Sequence, residues 1–442
     1  MDTLKAGASA SKVGESNVTQ DLNAGGLSLD AWFFLVAISG YMLVHTPFST
    51  TIGLGGLVIL FMMYLALDAA GRHWASWRSM VFRLKLLVIF ITVSLLLLVP
   101  AAEQIACRQA KGAYLCAHDG LIQTEEAVRM LLQGKNPYTE NYFGTPLEKA
   151  PFPRSPSPAL YHLAYLPFTF LVHVPFADLI WQGGGWYDGR VLYVAMLLLS
   201  LLLCVGMAVR DERRLALVIA LGLNLPLLDF TAEGRNDIVG LCLVLLSLYL
   251  AARNRRTLSM VVMGLGCASK QTIWFILPFY ALYLVRGDLS FRSLRQLAFQ
   301  AWPLYLTIAL IIGPFLIWDA RAFVEDTVFY LTGQTAHSYP LWGMGFGMLL
   351  RVLGVVGTEN DYVPFWIPQL IVGVPVLGLF LVYQWRHNEM RVVWLGFATL
   401  QLVLGYFSRI FQANYLAVIV SIFSFAFLVE ERQTAIVGAE SE

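Results

Sequence analysis

The chain has 442 residues, of which 58% are hydrophobic and only 13% charged, with a formal net charge of +1 and a mean hydropathy of +0.65. That composition describes a polypeptide solvated mostly by lipid and excludes an ordinary soluble globule. The balanced charge offers no global basic field for nucleic acid, because the basic residues fall in short clusters between apolar runs.

The first 30 residues are polar and rich in small side chains. They lack the charged, apolar and small-residue order of a cleavable signal peptide, and predict a disordered cytoplasmic lead. From 31 to 442 the chain reads as a single transmembrane domain. Apolar runs occupy 31–45, 51–70, 84–100, 191–209, 215–228, 238–252, 258–268, 272–285, 298–317, 363–385, 392–407 and 411–429. They are long and continuous rather than short and alternating, which predicts helices rather than barrel strands. Basic clusters at Arg72, Arg78, Arg83 and Lys85, at Arg210, Arg213 and Arg214, at Arg253, Arg255 and Arg256, at Arg286, Arg292 and Arg295, and at Arg386 and Arg391 mark cytoplasmic loops. The expected architecture is an all-α polytopic membrane protein of roughly twelve spans, with both termini inside and short amphipathic helices on the outer face. A further run, 159–181, breaks the parity of the basic loops and contains Pro167, Pro175, His162 and His173. It predicts a helix along the outer face, a span being the alternative. Large external loops are then expected at 103–190 and 318–362.

The first external loop contains a polar island, His118-Asp119-Gly-Leu-Ile-Gln-Thr-Glu-Glu-Ala-Val-Arg-Met-Leu-Leu-Gln-Gly-Lys-Asn-Pro-Tyr138. Leu121, Val128, Leu131 and Leu132 recur on one face, and Gly134 followed by Pro137 is a stop signal, so a short amphipathic helix parallel to the membrane surface is expected. Asp119 falls in the turn before it, where helix amides favour an ionised carboxylate. It serves either as a cap or as a general base, with Glu125 and Glu126 as alternative bases. Cys204, Cys242 and Cys267 sit in apolar runs as small hydrophobes. Cys107 and Cys116 flank the approach to Asp119 and are candidates for a disulfide if the loop faces an oxidising compartment.

Other outer tips add cations and amides. Arg235-Asn236-Asp237 lies between two spans, and Lys270-Gln271 between two short helices, where an ammonium either snorkels or meets an anion. Arg409 lies between the last two spans. Lys270, Arg409 and Arg235 are therefore candidates for a lipid phosphate, and Asp237, Asn236, Gln271, Tyr138, His337 and Trp342 for substrate contacts. The segment His337-Ser-Tyr-Pro-Leu-Trp-Gly-Met-Gly-Phe-Gly347 is either a glycine-rich connector or a closing loop whose Trp342 stacks on a sugar.

These parts resemble the GT-C superfamily of membrane glycosyltransferases, in particular its polyprenyl-phosphate-sugar dependent, mannosyltransferase-like branch. The resemblance rests on Asp119 in the first large loop, the helix ending Gln-Gly-Lys-Asn-Pro-Tyr138, and the proline-rich 151–161. The Gly-Arg-Asn-Asp237 element and the short pair around Lys270-Gln271 belong to it too. It implies transfer of mannose or a similar hexose, with inversion, from a polyprenyl-phosphate donor to a hydroxyl of a lipid, glycan or protein at the extracytoplasmic face of the plasma membrane. Asp119 would be the base. Two features depart from the family pattern: two extra spans precede the acid, and the acid stands as His-Asp-Gly rather than a paired Asp-x-Asp. The second argues against an essential metal, and no other cofactor is expected. A transporter or flippase of an anionic lipid or solute is the alternative, and it would need polar residues continuing toward the cytoplasmic side.

Overall fold

The computed structural model describes residues 26–44, 51–152, 156–285 and 290–431. Residues 1–25 of the expected lead, His45, Pro153, Arg154, Ser155 and Arg286 lie outside them. Among the described residues each of the twelve predicted apolar runs falls mostly on helix. Four helices among the described residues are long and apolar enough to cross a membrane: Gly55–His73, Ala75–Lys111, Trp302–Thr332 and Trp366–Arg386. A fifth span forms if Asp211–Gly222 and Leu225–Glu233, bent by 46° at their junction, count as one. The others, among them Leu29–Met42, Arg190–Val205, Asp237–Ala252, Arg256–Cys267, Met390–Tyr406 and Ala413–Leu428, are shorter.

Local chemistry explains several of these lengths. In the bent pair, Asn224 leaves the helix and accepts from the Leu227 N–H, while its Nδ2 donates to Ala417 O at 2.8 Å and Ser421 Oγ at 2.9 Å. Pro226 follows at the start of the next helix, where a missing N–H costs nothing. The predicted 272–285 helix opens instead as a 3-10 turn, Gln271–Ile276, before Leu277–Leu284. The helix from Trp302 continues through Pro314 and a non-helical Asp319 to Thr332, so the first part of the expected 318–362 loop is helical. The 159–181 run is not one helix. Pro167 and Pro175 divide it into Phe168–Leu171 and Val174–Gln182, neither long enough to span.

The two extra N-terminal helices are fastened to the bundle by charge. Lys85 Nζ lies 2.6 Å from Asp30 Oδ2 and 2.7 Å from Asp68 Oδ1, and Tyr64 donates to Asp30 at 2.6 Å. All four are buried. Lys85 and Gln104 share one continuous helix, so this cluster stands about 30 Å from the end where Asp119 lies, close to the thickness of a bilayer core. Among the described residues the strands are β1 (Trp342–Gly343) and β2 (Ile410–Phe411), paired in parallel. Gly343 has φ +103, and a Cβ there would collide with the Phe411 carbonyl, so this junction requires glycine.

Candidate active site

At one end of the bundle a cavity of about 500 Å³ is lined by Gln104, Cys116, His118, Asp119, Phe152, Glu233, Arg235, Tyr339, Trp342 and Gln412. The residues come from six separate stretches of chain, and three devices hold those stretches in place. Cys107 and Cys116 are joined in a disulfide with Cα atoms 6.0 Å apart. The His118 N–H donates to Glu233 O at 2.9 Å, tying the Asp119 loop to the end of Leu225–Glu233. The buried Arg190 guanidinium reaches Cys116 O at 2.9 Å and Gln104 Oε1 at 3.3 Å while paired with Asp188.

Asp119 is the first residue of the Asp119–Leu132 helix, and His118 is its N-cap. The acid therefore begins the helix instead of preceding it. Its Oδ1 lies 2.8 Å from His118 Nδ1 and 2.7 Å from the Gly120 N–H. An ionised carboxylate only accepts, so the ring nitrogen donates to it. The same nitrogen is 3.0 Å from the Gly120 nitrogen, but a donating nitrogen cannot take that N–H, and the carboxylate is its partner. Oδ2 carries no hydrogen bond among the described residues. Burial pushes the Asp119 carboxyl up, but His118, the Gly120 N–H and the Arg235 guanidinium outweigh it and hold the group below its ordinary value of 3.8. Gly120 is needed beside it, because a Cβ there would strike the Tyr165 hydroxyl.

Arg235 is the cation of this cavity. Its Nε donates to Glu233 at 3.0 Å, and its Nη1 reaches Gln412 Oε1 at 3.3 Å and Asn414 Oδ1 at 3.4 Å. Asn414 in turn donates to Asp237 Oδ2 at 2.6 Å, and Asp237 is ion-paired with Lys270. Behind this chain lies a small hollow of about 20 Å³ lined by Lys270, Asp237, Gln401 and Tyr415. Lys270 is thus a paired cation one layer behind the cavity, rather than a free ammonium waiting for an anion.

Several expected site residues have other work. Arg409 is buried, and its guanidinium donates to the backbone carbonyls of Tyr339, Asp361 and Glu359. It pins the 339–361 loop and cannot present those donors to a donor phosphate. Glu125 is buried against Arg108, at 2.7 and 3.0 Å, and the Gly189 N–H, which removes it as an alternative base. Burial leaves its carboxyl above the ordinary value despite Arg108. Glu126 faces Arg129 at 3.4 Å and is not part of the cavity wall. Tyr138 is buried among Phe170, Phe315 and Phe323 and donates to Tyr165 O at 2.7 Å, a core role. The Gln271 amide donates to Ala164 O and Thr327 O, and His337 stacks on Tyr161 outside the cavity. Asn236 is buried at the start of Asp237–Ala252, its Nδ2 unpartnered among the described residues. The expected surface helix is in fact wrapped on most sides, with Leu121, Ile122, Gln123, Thr124, Ala127 and Val128 all buried.

Trp342 does line the cavity, 40% exposed. His118, Glu233, Tyr339, Gln412 and Asn414 were missed. Gln412 and Asn414 stand within the Tyr-Phe-Ser-Arg-Ile-Phe-Gln-Ala-Asn-Tyr415 segment, where the charge of Arg409 is the more conspicuous sequence feature. Among the described residues no three His, Cys, Asp or Glu side chains stand together as a metal-binding group.

At this end of the apolar helical bundle the described residues bring together a carboxylate with one oxygen unbonded among them, a guanidinium and an exposed indole. Residues 129–286 match the family model described as alpha-(1->6)-mannopyranosyltransferase, N-terminal domain. The match bears out the resemblance to GT-C mannosyltransferases and supports glycosyltransferase activity. It includes Arg235, Asp237 and Lys270 and begins after Asp119. No curated protein and no solved structure matches the chain.

Proposed function

We propose that the protein transfers mannose or a similar hexose from a polyprenyl-phosphate donor to a hydroxyl on a cell-envelope glycan or lipid, without an essential metal. The observation that carries this is a carboxylate held ionised, its Oδ2 without a hydrogen bond among the described residues, in a cavity that also contains Arg235. In this mechanism the acceptor hydroxyl attacks the anomeric carbon as Asp119 Oδ2 takes its proton, and polyprenyl phosphate leaves as an anion. A single displacement inverts the anomeric centre. Arg235, already anchored by Glu233 and Gln412, faces the charge that develops on the departing phosphate. Lys270 supports Arg235 indirectly, through Asp237 and Asn414. Trp342 offers an apolar face to a sugar ring.

The reading includes twelve membrane passages, shorter helices crossing within a thinned or shielded environment. Basic residues Arg210 to Arg214, Arg253 to Arg256, and Arg386 to Arg391 lie at helix ends opposite Asp119. That asymmetry favours a cytoplasmic side there and an extracytoplasmic cavity in the plasma membrane. Transport is less favoured. Between the Asp119 end and the opposite end the bundle is packed with Leu245, Leu248, Trp394, Phe397 and Phe425, all buried.

The arrangement separates two arginines. Arg235→Gln is expected to weaken binding of a polyprenyl-phosphate sugar by about ten- to a hundredfold, a charge-assisted contact being worth roughly 1.5–3 kcal/mol. It should also raise the acid limb of the pH–rate profile, since Arg235 is one of the groups holding Asp119 low. Arg409→Gln should loosen the 339–361 loop, visible as faster amide exchange, yet leave donor affinity within a few-fold. Equal loss of donor affinity in both variants contradicts the assignment of Arg235.

A further inference from the structure

A second cavity, of about 670 Å³, opens at the end of the bundle opposite Asp119. The Asp237–Ala252 helix runs between the two ends: Asp237 stands with Lys270, while Ala251 and Ala252 line the far cavity, about 20 Å away at the helical rise. Four charged side chains face it, namely Arg253, Arg256, Glu430 and Glu431.

Glu430 is neutralised by two arginines, whereas Glu431 bonds a single backbone N–H. Glu430 accepts from Arg210 at 2.6 and 2.7 Å, from Arg213 at 3.2 Å, and from the Val209 and Arg210 N–H groups at 3.0 Å. Glu431 accepts the Met390 N–H at 2.7 Å. Arg253 lies over the Tyr249 ring, its guanidinium carbon 4.3 Å from the ring centre. Neither Arg253 nor Arg256 has a carboxylate partner among the described residues. Met207, Leu284 and Val429 supply an apolar wall beside them. The cavity thus sets two guanidiniums that have no carboxylate partner among the described residues beside an apolar wall, and it is much larger than a bare phosphate requires.

We propose that this cavity binds the headgroup of an anionic phospholipid, its phosphodiester on Arg253 and Arg256 and its glycerol against the apolar wall. Guanidinium–phosphate contact is charge-assisted and geometrically matched. Basic pockets between membrane helices are a recurrent way of holding anionic lipid headgroups. The site is independent of the proposed transfer chemistry.

The test uses the purified full chain in delipidating detergent, titrated with dihexanoyl phosphatidylglycerol, dihexanoyl phosphatidylcholine and inorganic phosphate, with binding read by thermal shift and calorimetry. Phosphatidylglycerol should bind the wild type and Arg255→Gln alike, since Arg255 is exposed and outside the cavity wall. Binding should fall by about fivefold in Arg253→Gln and in Arg256→Gln, and further in the double variant. Phosphatidylcholine should bind far more weakly. Single variants keep the test informative if the double variant does not fold. Unchanged phosphatidylglycerol binding in the variants overturns the proposal, and inorganic phosphate binding as tightly as the lipid overturns it in favour of a soluble-anion site.

Discussion

Asp119→Asn is expected to reduce sugar transfer by about a hundred- to ten-thousand-fold, the range for a positioned general base, with little change in folding. The asparagine keeps the shape and can still accept from Gly120, so the loop should stay closed. What disappears is the basic Oδ2. Because the Asp119 pKa is depressed, its ionised form persists as pH falls until the lowered value is reached, so the acid limb of kcat/KM for the free enzyme should lie below 3.8 unless another group intervenes. The sign for stability is the same. A carboxyl lowered by folding stabilises the native state above its unfolded value, and that contribution is lost as pH falls through the folded value. Residual transfer within tenfold of wild type in Asp119→Asn would remove the acid from the role of base. Glu126 would then be the remaining carboxylate of that helix to examine, as Glu125 is committed to Arg108.

The largest stability effect is expected at Arg108. Its guanidinium joins Glu125 and Asp188, and its Nε donates to Ala113 O at 2.8 Å, all in buried surroundings. Asp188 is also paired with Arg190. Replacing Arg108 by Met leaves the Glu125 carboxylate buried with only the Gly189 N–H, a change that costs about 3–5 kcal/mol. Thermal unfolding of the detergent-solubilised protein measures it. The double variant Arg108→Met/Glu125→Leu should recover part of the loss, because the uncompensated charge has gone. A strictly additive loss in the double variant would mean that the pair is not coupled. The same network holds Gly189 and Arg190, and Arg190 bonds Cys116 O, so transfer should weaken along with stability in Arg108→Met.

That Asp119 stands at a helix start on a cavity wall was legible because a polar island in an apolar chain is rare and costly, and a carboxylate at a helix start has a readable electrostatic setting. Cys107 and Cys116 were legible as a pair because both flank one short loop, and the structure joins them. The helical character of the twelve apolar runs followed from their length and continuity, but full-length crossings did not. Asn224 interrupts one run through partners on a helix nearly two hundred residues later, which no local pattern reveals.

The cations show the same limit. A sequence presents Arg409, Arg235 and Lys270 as equivalent tip charges, whereas their roles depend on what reaches them from elsewhere. Three carbonyls of the 339–361 loop consume Arg409, Asp237 neutralises Lys270, and the exposed wall of the cavity leaves Arg235 beside Asp119. Tyr138 and Gln271 failed for a related reason: polar tips on a helix end look available until aromatic rings and carbonyls from distant segments close over them. Only Trp342 among the expected sugar contacts stayed on the cavity wall, because the Gly343 junction holds it against the Arg409 segment.

The most direct measurement is release of polyprenyl phosphate by the purified protein from a panel of polyprenyl-phosphate sugars, with and without a membrane extract as acceptor. The account predicts release from the mannosyl donor or a close hexose analogue only when acceptor is present, with the product anomer inverted relative to the donor. No release from any donor would contradict it, and release independent of acceptor would mean hydrolysis rather than transfer.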